Sequence, residues 1–105
     1  MPISRSAAPK HERRIMIVTA YSAHDAGMDG KGITASGERV EEGRTIAADP
    51  EIAFGTEIYI PELQNRYTVT DRGGAIRGNR LDIYIENRRE ALEFGVWEVE
   101  VWIEK

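Results

Sequence analysis

Two aspartates, Asp71 and Asp82, are the residues best suited to chemistry in this sequence, and they lie eleven positions apart. Each lies in a strand-like apolar run, and a loop containing Gly73, Gly74 and Gly78 joins the two runs. Glycine permits a tight turn with positive φ or the close approach of a ligand, while alternating apolar residues keep the flanks extended. We therefore predict that the two carboxylates are held near each other at the mouth of a small β-barrel. Paired carboxylates of this kind suit acid and base catalysis on glycosidic bonds.

The elements that must position these residues are predicted to be strands. Short apolar runs separated by turn-forming residues read IMIVTAYS, TIAAD, TEIYI, RYTVTD, LDIYI and VWEVEVWI. In the last run, four apolar residues alternate with glutamates, as in a half-buried antiparallel strand: Trp97, Val99, Val101 and Ile103. Trp102 falls on the polar face of this run. Six strands favour an all-β barrel over a layered α/β sheet.

One short helix is predicted near the C-terminus. Asn87 followed by Glu90 resembles a capping box, an apolar stripe follows, and Gly95 provides a stop after about two turns. Before the barrel, residues 1–13 are polar and basic with two prolines, which predicts a flexible leader. A single domain is expected to occupy residues 14–105.

The segment 22–43 is rich in glycine and charge, so it is predicted to be mainly loop, with a short extended piece around 33–36. The net charge of −4 argues against a nucleic-acid partner, which would leave a basic footprint. The chain has no cysteine, which excludes disulfides and thiolate chemistry. No signal-peptide core precedes the domain, and the run 15–18 is too short to span a bilayer, so no membrane insertion is expected.

The spacing of the glycines, acidic residues and histidines in the sequence disfavours a cofactor or metal site. The GGAIRG loop lacks the dinucleotide fingerprint and leads into a strand, so no cofactor is expected. Asp25, Asp29 and Gly30 match three positions of a calcium loop, but Ser36 stands where the closing glutamate belongs. Neither histidine of the sequence has a second one nearby. No metal site is therefore predicted.

Four ordered motifs closely resemble the 3D domain, a family named for its three aspartates and found in cell-wall-remodelling proteins of Gram-positive bacteria. The motifs are VTAYS at 18–22, TASG at 34–37, IAADP at 46–50 and DRGGAIRGNRLDIYI at 71–85. The resemblance covers nearly everything from Val18 to Ile103. It implies a six-stranded double-psi β-barrel and identifies the three aspartates as Asp49, Asp71 and Asp82.

The resemblance also implies a reaction. A similar barrel in the membrane-bound lytic transglycosylase A family carries a related segment that ends in the catalytic aspartate, a role that falls here on Asp82. The implied activity is non-hydrolytic cleavage of the β-1,4 bond between N-acetylmuramic acid and N-acetylglucosamine in peptidoglycan. Asp71 would be the neighbouring acid in the groove, and Asp49 would support geometry or charge. No cofactor is implied.

Several polar residues and glycines are expected to contact the glycan. Alternation along the chain could place both hydroxyls of a pair on one side, as in Thr19 with Tyr21 and Thr34 with Ser36. Gly73 and Gly74 could let the glycan approach the backbone closely. Three arginines could meet stem-peptide carboxylates, but solvated ion pairs are their expected role: Arg72, Arg77 and Arg80. Relatives often carry lysine at position 77 and a small residue at position 72.

Each aspartate also has a purely structural interpretation. Asp71 beside glycine, and Asp49 before a proline, could satisfy local backbone amides at turns. Asp82 could be an outward-facing polar residue, although a strand interior disfavours aspartate. The domain could accordingly be a carbohydrate-binding module that holds glycan strands without cutting them.

A third possibility is an inverting hydrolase with Asp71 as base and Asp82 as acid. In each case peptidoglycan is the expected partner, and the family resemblance implies an extracellular or cell-wall location. Because the given sequence shows no signal peptide, a phage-encoded or intracellularly stored enzyme is also left open. The sequence does not determine the oligomeric state.

Overall fold

The computed structural model describes residues 11–22 and 32–104. In this part of the chain it contains the six strands that the sequence predicts. They are β1 (His11–Tyr21), β2 (Thr45–Ala47), β3 (Glu57–Ile60), β4 (Asn65–Asp71), β5 (Arg80–Tyr84) and β6 (Trp97–Glu104). A single turn of 3-10 helix, Pro61–Leu63, links β3 to β4, and helix α1 (Arg88–Phe94) links β5 to β6.

The strands close into a barrel in the order β1-β5-β2-β4-β3-β6, with β6 pairing back onto β1. The pairs β1–β5 and β2–β4 are parallel, and the remaining four pairs are antiparallel. Closure leaves no strand edge unpaired within the sheet. The expected all-β barrel of six strands, with one short helix near the C-terminus, is confirmed.

Alternation along the strands sends one set of side chains into the barrel. On β5, Leu81 and Ile83 belong to the main core, and on β6 the same is true of Val101 and Ile103. Trp97 and Val99 pack against that core, as the alternating pattern of the last run predicts. The fully buried members of the core include Met16, Val18, Ile46, Ile58, Ile60 and Val69.

A second, smaller cluster lies on the opposite face of some of these strands. It consists of Tyr21, Ala47, Ile76 and Tyr84, with Val40 packed against it. Successive residues of a strand face opposite ways, and the neighbours of Ala47 and Tyr84 in the chain belong to the main core. This outer cluster lies on the wall that carries the two strand aspartates, Asp71 and Asp82.

Helix α1 begins and ends as the sequence predicts. The Oδ1 atom of Asn87 accepts a hydrogen bond of 2.9 Å from the backbone N–H of Glu90. Gly95 follows the last turn with a φ of +78°, a conformation that favours glycine. Ala91 is buried on the inner face of the helix. Among the described residues, no helix has the length and apolar character needed to cross a membrane.

Strand β1 begins earlier than predicted. His11 and Arg13, which the sequence assigns to the leader, pair with β6 opposite Glu104 and Trp102. The His11 ring stacks on Trp102 with centroids 4.9 Å apart, and the Arg13 guanidinium lies 4.7 Å from the centre of the same indole. These contacts extend the strand although its sequence is polar. The rest of the predicted leader, residues 1–10, lies outside the described residues.

The predicted loop before β2 is described from residue 32 onward. The expected extended piece is reduced to one bridge between Ile33 and Arg39. Between them the chain turns, with the N–H of Gly37 donating to the carbonyl of Thr34 at 2.9 Å. The 33–36 piece is therefore mostly a turn, and this turn, residues 34–37, packs against the end of β4.

Candidate functional site

Asp71 and Asp82 lie on the two strands that flank β2, and both are register partners of Ala47. On the far side of β5, Asp82 is in turn opposite Thr19 of β1. Residues in register across neighbouring strands share a face of the sheet. The four residues therefore form one line across the wall, which we call the carboxylate row: Asp71, Ala47, Asp82 and Thr19.

A bulge in β4 places Asp71 in this row. Ile46 pairs with Val69, but the next residue of β2, Ala47, pairs with Asp71, so two residues of β4 face one of β2. Val69 points into the core, and plain alternation would send Asp71 to the same side. The extra residue turns the aspartate onto the outer face, a use of bulges that is common beside functional sites.

Asp71 is buried, with 5% of its surface exposed, and is an acceptor in three hydrogen bonds. Its Oδ2 accepts from the Tyr21 hydroxyl at 2.5 Å. Its Oδ1 accepts from the backbone N–H groups of Ala35 and Arg72, each at 2.9 Å. Burial, followed by the hydrogen bond to Asp71, raises the pKa of Tyr21 well above its ordinary value. Tyr21 therefore stays neutral and acts as a donor.

Asp82 is less buried than Asp71. Its Oδ1 accepts a hydrogen bond of 2.9 Å from the hydroxyl of Thr19, its neighbour in the row. The same hydroxyl lies 3.4 Å from the carbonyl oxygen of Leu81. Threonine is stiff about χ1, so this contact orients the carboxylate from a fixed point on the adjacent strand. The row thus combines one buried, fully hydrogen-bonded carboxylate with one partly exposed carboxylate.

Asp49 lies in the turn after β2 and binds two backbone amides. Its Oδ1 accepts from the N–H of Glu51, and its Oδ2 accepts from the N–H of Gly78, each at 2.7 Å. These two hydrogen bonds, that from Glu51 first, lower the pKa of Asp49 below its ordinary value. The carboxylate joins the turn after β2 to the glycine loop between β4 and β5.

Arg72 has a role that the sequence did not predict. Its Nη2 donates to the carbonyl of Ile52 at 2.8 Å, and its Nη1 donates to that of Ala48 at 3.3 Å. The guanidinium also lies 4.1 Å from the centre of the Phe54 ring. The expected solvated ion pair at this position is wrong, because the side chain binds the turn that contains Asp49. The sequence contains no local signal of these contacts, because the acceptors lie 20 and 24 positions away.

Arg77 also donates to backbone carbonyls, with its Nη1 lying 2.8 Å from the carbonyl oxygen of Gly73. The glycines of this loop serve different purposes. Gly78 has a φ of +63°, whereas a Cβ at Gly73 would lie 2.9 Å from Cγ1 of Ile76. A Cβ at Gly74 would meet nothing within 4 Å, which leaves open space above that position.

The two predicted hydroxyl pairs lie beside the row in different ways. Thr19 and Tyr21 donate to the aspartates themselves. Thr34 and Ser36 have their hydroxyl oxygens 3.0 Å apart, and the N–H of Ser36 donates to the carbonyl of Thr70 at 3.0 Å. The turn that carries this second pair therefore lies next to Asp71, to which its Ala35 amide also donates.

Within residues 11–22 and 32–104, no group of three or more histidine, cysteine, aspartate or glutamate side chains could hold a metal ion. The calcium-loop residues considered in the sequence, Asp25, Asp29 and Gly30, lie outside the described residues, as does His24.

A small closed β-barrel with an acidic row on one wall is the class of protein that the fold and site define. The model of the 3D domain family matches residues 44–105, more than half of the chain, and the chain belongs to this family. The cell wall-binding protein YocH of Bacillus subtilis (strain 168) is 37% identical over 87 residues, which are 79% of this chain and 29% of that protein.

Among solved structures, the crystal structure of MltA from E. coli resembles this chain in fold, with a TM-score of 0.57 and 23% sequence identity. The similarity covers 71% of this chain and 28% of that one. This chain thus covers less than a third of the length of YocH and less than a third of that of MltA.

Proposed function

We propose that this domain acts on peptidoglycan as a lytic transglycosylase, and that Asp82 is its catalytic residue. The observation that carries the proposal is the placement of Asp71 and Asp82 on one face of the barrel wall, on either side of Ala47. Membership of the 3D domain family, a cell wall-binding relative and the MltA-like fold support peptidoglycan as the partner. They also support a location at the cell wall.

In the proposed reaction, Asp82 is protonated when the glycan binds. It donates its proton to the glycosidic oxygen while the bond from C1 of N-acetylmuramic acid to that oxygen breaks, and N-acetylglucosamine leaves with a free hydroxyl. The C6 hydroxyl of the muramyl sugar then attacks C1, and its proton returns to the Asp82 carboxylate. The product is a 1,6-anhydro sugar, the acid is regenerated and no water is consumed.

The neighbours of Asp82 fit supporting roles in this scheme. Thr19 orients the carboxylate through its 2.9 Å hydrogen bond. Asp71, fixed by Tyr21 and two backbone amides, supplies a negative charge beside the positive charge that develops on the muramyl ring. A carboxylate surrounded by three donors is poorly placed to act as a nucleophile, which favours the use of a single acid–base group.

Asp49 is proposed to position rather than to transfer protons, because both of its oxygens accept backbone hydrogen bonds. The glycan is proposed to pass over the open space at Gly74, between the glycine loop and the 34–37 turn. The partly exposed hydroxyl of Ser36 would then donate to a sugar oxygen or acetamido group, and the buried Thr34 would orient it through their 3.0 Å contact.

A second candidate function is glycan binding without cleavage. The relative named as a cell wall-binding protein favours it, since that name refers to binding alone. The same row would then bind glycan strands through charge-assisted hydrogen bonds from sugar hydroxyls to the aspartates. The two candidates differ in whether Asp82 transfers a proton.

Digestion of purified peptidoglycan by the full chain separates the candidates. Wild type is expected to release muropeptides that are lighter by one water than hydrolytic fragments. Asp82→Asn should reduce this release by about 100-fold or more, the usual contribution of acid–base catalysis. Glu98→Gln, an exposed position on β6, is the matched control and should retain full activity. Fragments with ordinary reducing ends would instead indicate a hydrolase, and co-sedimentation without any products would indicate a binding module.

A further inference from the structure

A cavity of about 390 Å³ opens at the end of the barrel where β5 finishes and β4 begins. It is separate from the face of Asp71, which lies at the other end of β4. Loop, strand and helix residues line it: Glu42, Gly43, Leu63, Gln64, Asn65, Tyr67, Ile83, Tyr84, Ile85 and Phe94. A cavity of this size accommodates a side chain or a small ligand group.

The lining combines aromatic rings with one negative charge. Tyr67, Tyr84 and Phe94 contribute rings, and Glu42 alone among the described lining residues carries a formal charge at neutral pH. The Oε1 atom of Glu42 accepts a hydrogen bond of 2.9 Å from the backbone N–H of Glu86. This hydrogen bond orients the exposed carboxylate toward the backbone of Glu86.

The field at this rim is negative. Burial, followed by the charges of Glu86 and Glu42, raises the pKa of the Tyr84 hydroxyl. The charges of Glu86 and Glu42 are thus close enough to Tyr84 to disfavour ionisation of its hydroxyl. Such a site disfavours an anionic group, and its aromatic rings can attract a cation through their faces.

The rim of the cavity also has a fixed backbone shape. Gln64 has a φ of +53°, in the left-handed region that non-glycine residues rarely adopt. Beside it, the side-chain amide of Asn65 donates to the carbonyl of Gly43 at 3.0 Å. The hydrogen bond connects two segments that line the cavity, residues 42–43 and residues 63–65.

The cavity is connected to the carboxylate row through Tyr84. This residue lies two positions after Asp82 on the same face of β5, a separation of roughly 7 Å along a strand. Its ring meets that of Tyr21 edge to face, with centroids 5.6 Å apart. Tyr21 in turn donates to Asp71. A polymer bound along the row could therefore place a short side branch in the cavity.

We propose that this cavity binds a primary alkylammonium group, namely the free side-chain amine of the diamino acid in a peptidoglycan stem peptide. The ammonium would lie between the Glu42 carboxylate and the aromatic rings, and the alkyl chain would contact Leu63 and Ile85. This assignment rests on the proposed function, because it takes the branch from the same polymer. It would direct the domain to glycan whose stem peptides are not cross-linked through that amine.

The test measures binding of a synthetic stem tetrapeptide with lysine as its diamino acid to the full chain, by calorimetry and by NMR shifts of cavity residues. The second ligand is the same peptide acetylated on the side-chain amine, and the third is an unrelated peptide containing one lysine. Glu42→Gln removes the charge but keeps an oxygen that can accept from Glu86, so the rim should stay intact. Glu98→Gln is the matched control.

The free-amine peptide is expected to shift the NMR resonances of the cavity residues in the wild type. It should bind Glu42→Gln about fivefold less tightly than the wild type, which is the upper range for a partly exposed ion pair. Acetylation of the side-chain amine should weaken binding to the wild type at least as much as Glu42→Gln weakens binding of the free-amine peptide. Equal binding of both stem peptides, no binding of either, or no effect of Glu42→Gln would overturn the site. Equal binding of the unrelated peptide would overturn the assignment to stem peptides.

The outcome is independent of catalysis. Peptide binding at the cavity with no anhydro products from peptidoglycan would contradict the transglycosylase and leave the ammonium site in place. Anhydro products without peptide binding would support the transglycosylase and contradict the ammonium site.

Discussion

The hydroxyl of Tyr21 donates to Oδ2 of Asp71 across 2.5 Å, and the two residues are 50 positions apart in the chain. They belong to strands that are not neighbours in the barrel, because β5 and β2 lie between β1 and β4. The tyrosine therefore reaches across the outer wall to the aspartate that the bulge has turned outward. This contact connects β1, the strand that carries Thr19 at one end of the carboxylate row, to Asp71 at the other end.

Removing the Tyr21 hydroxyl should destabilise the fold. In Tyr21→Phe, the buried Asp71 keeps its two backbone donors but loses the third, which is expected to cost about 1–3 kcal/mol in the free energy of unfolding. Urea denaturation monitored by tryptophan fluorescence measures the change. Tyr59→Phe on β3 is the matched control, because Tyr59 is on the opposite wall, where it contacts Trp102. Equal stability of the two variants would show that the Tyr21 contact contributes little.

Gly78 and Gly74 should respond differently to alanine. Gly78 has a φ of +63°, a conformation in which a side chain costs about 1–2 kcal/mol, and its N–H donates to Asp49. Gly74 does not have a positive φ and has open space around its Cβ direction. Gly78→Ala is therefore expected to lower the urea midpoint, whereas Gly74→Ala should leave it nearly unchanged. Comparable losses in the two variants would contradict this account of the loop.

Asp49 should contribute stability that depends on pH. Its pKa is lowered below the ordinary value of 3.8 by two backbone hydrogen bonds, so the folded state favours the ionised carboxylate. The contribution is present above pH 3.8 and is lost as the pH falls through the lower, folded-state pKa. Asp49→Asn is accordingly expected to melt below wild type at pH 7, with the gap closing in acid.

Thermal melting from neutral pH down to about pH 2, well below the ordinary pKa of an aspartate, measures this gap. Glu98→Gln, the same loss of charge at an exposed site, provides the control. A difference in Tm that stays constant over the whole range would mean that Asp49 stabilises the turn without its charge.

Much of the fold could be predicted because its signals are local. The period of two in the last run, the six apolar runs and the Asn87 cap depend on neighbours in sequence, and the six strands and the helix that they predict are present. The early start of β1 was missed because His11 and Arg13 are stabilised by Trp102, some 90 residues away. A polar sequence contains no sign of such a distant aromatic partner.

The site was predictable in part for the same reason. The glycine loop suggested that Asp71 and Asp82 are close, and the register through Ala47 agrees with that expectation. The bulge that turns Asp71 outward depends on how β4 pairs with β2, which no local pattern specifies. The backbone contacts of Arg72 were equally hidden, because its acceptors lie 20 and 24 positions away.

The central claim is that the muramyl C6 hydroxyl, which gives up its proton to Asp82, attacks C1 in place of water. The most direct test of this claim is the fate of solvent oxygen. Peptidoglycan would be digested by the full chain in water labelled with heavy oxygen, and the new muramyl ends analysed by mass spectrometry. Attack by the C6 hydroxyl predicts anhydro ends that contain no label. Labelled reducing ends would contradict it, since they require water to attack C1.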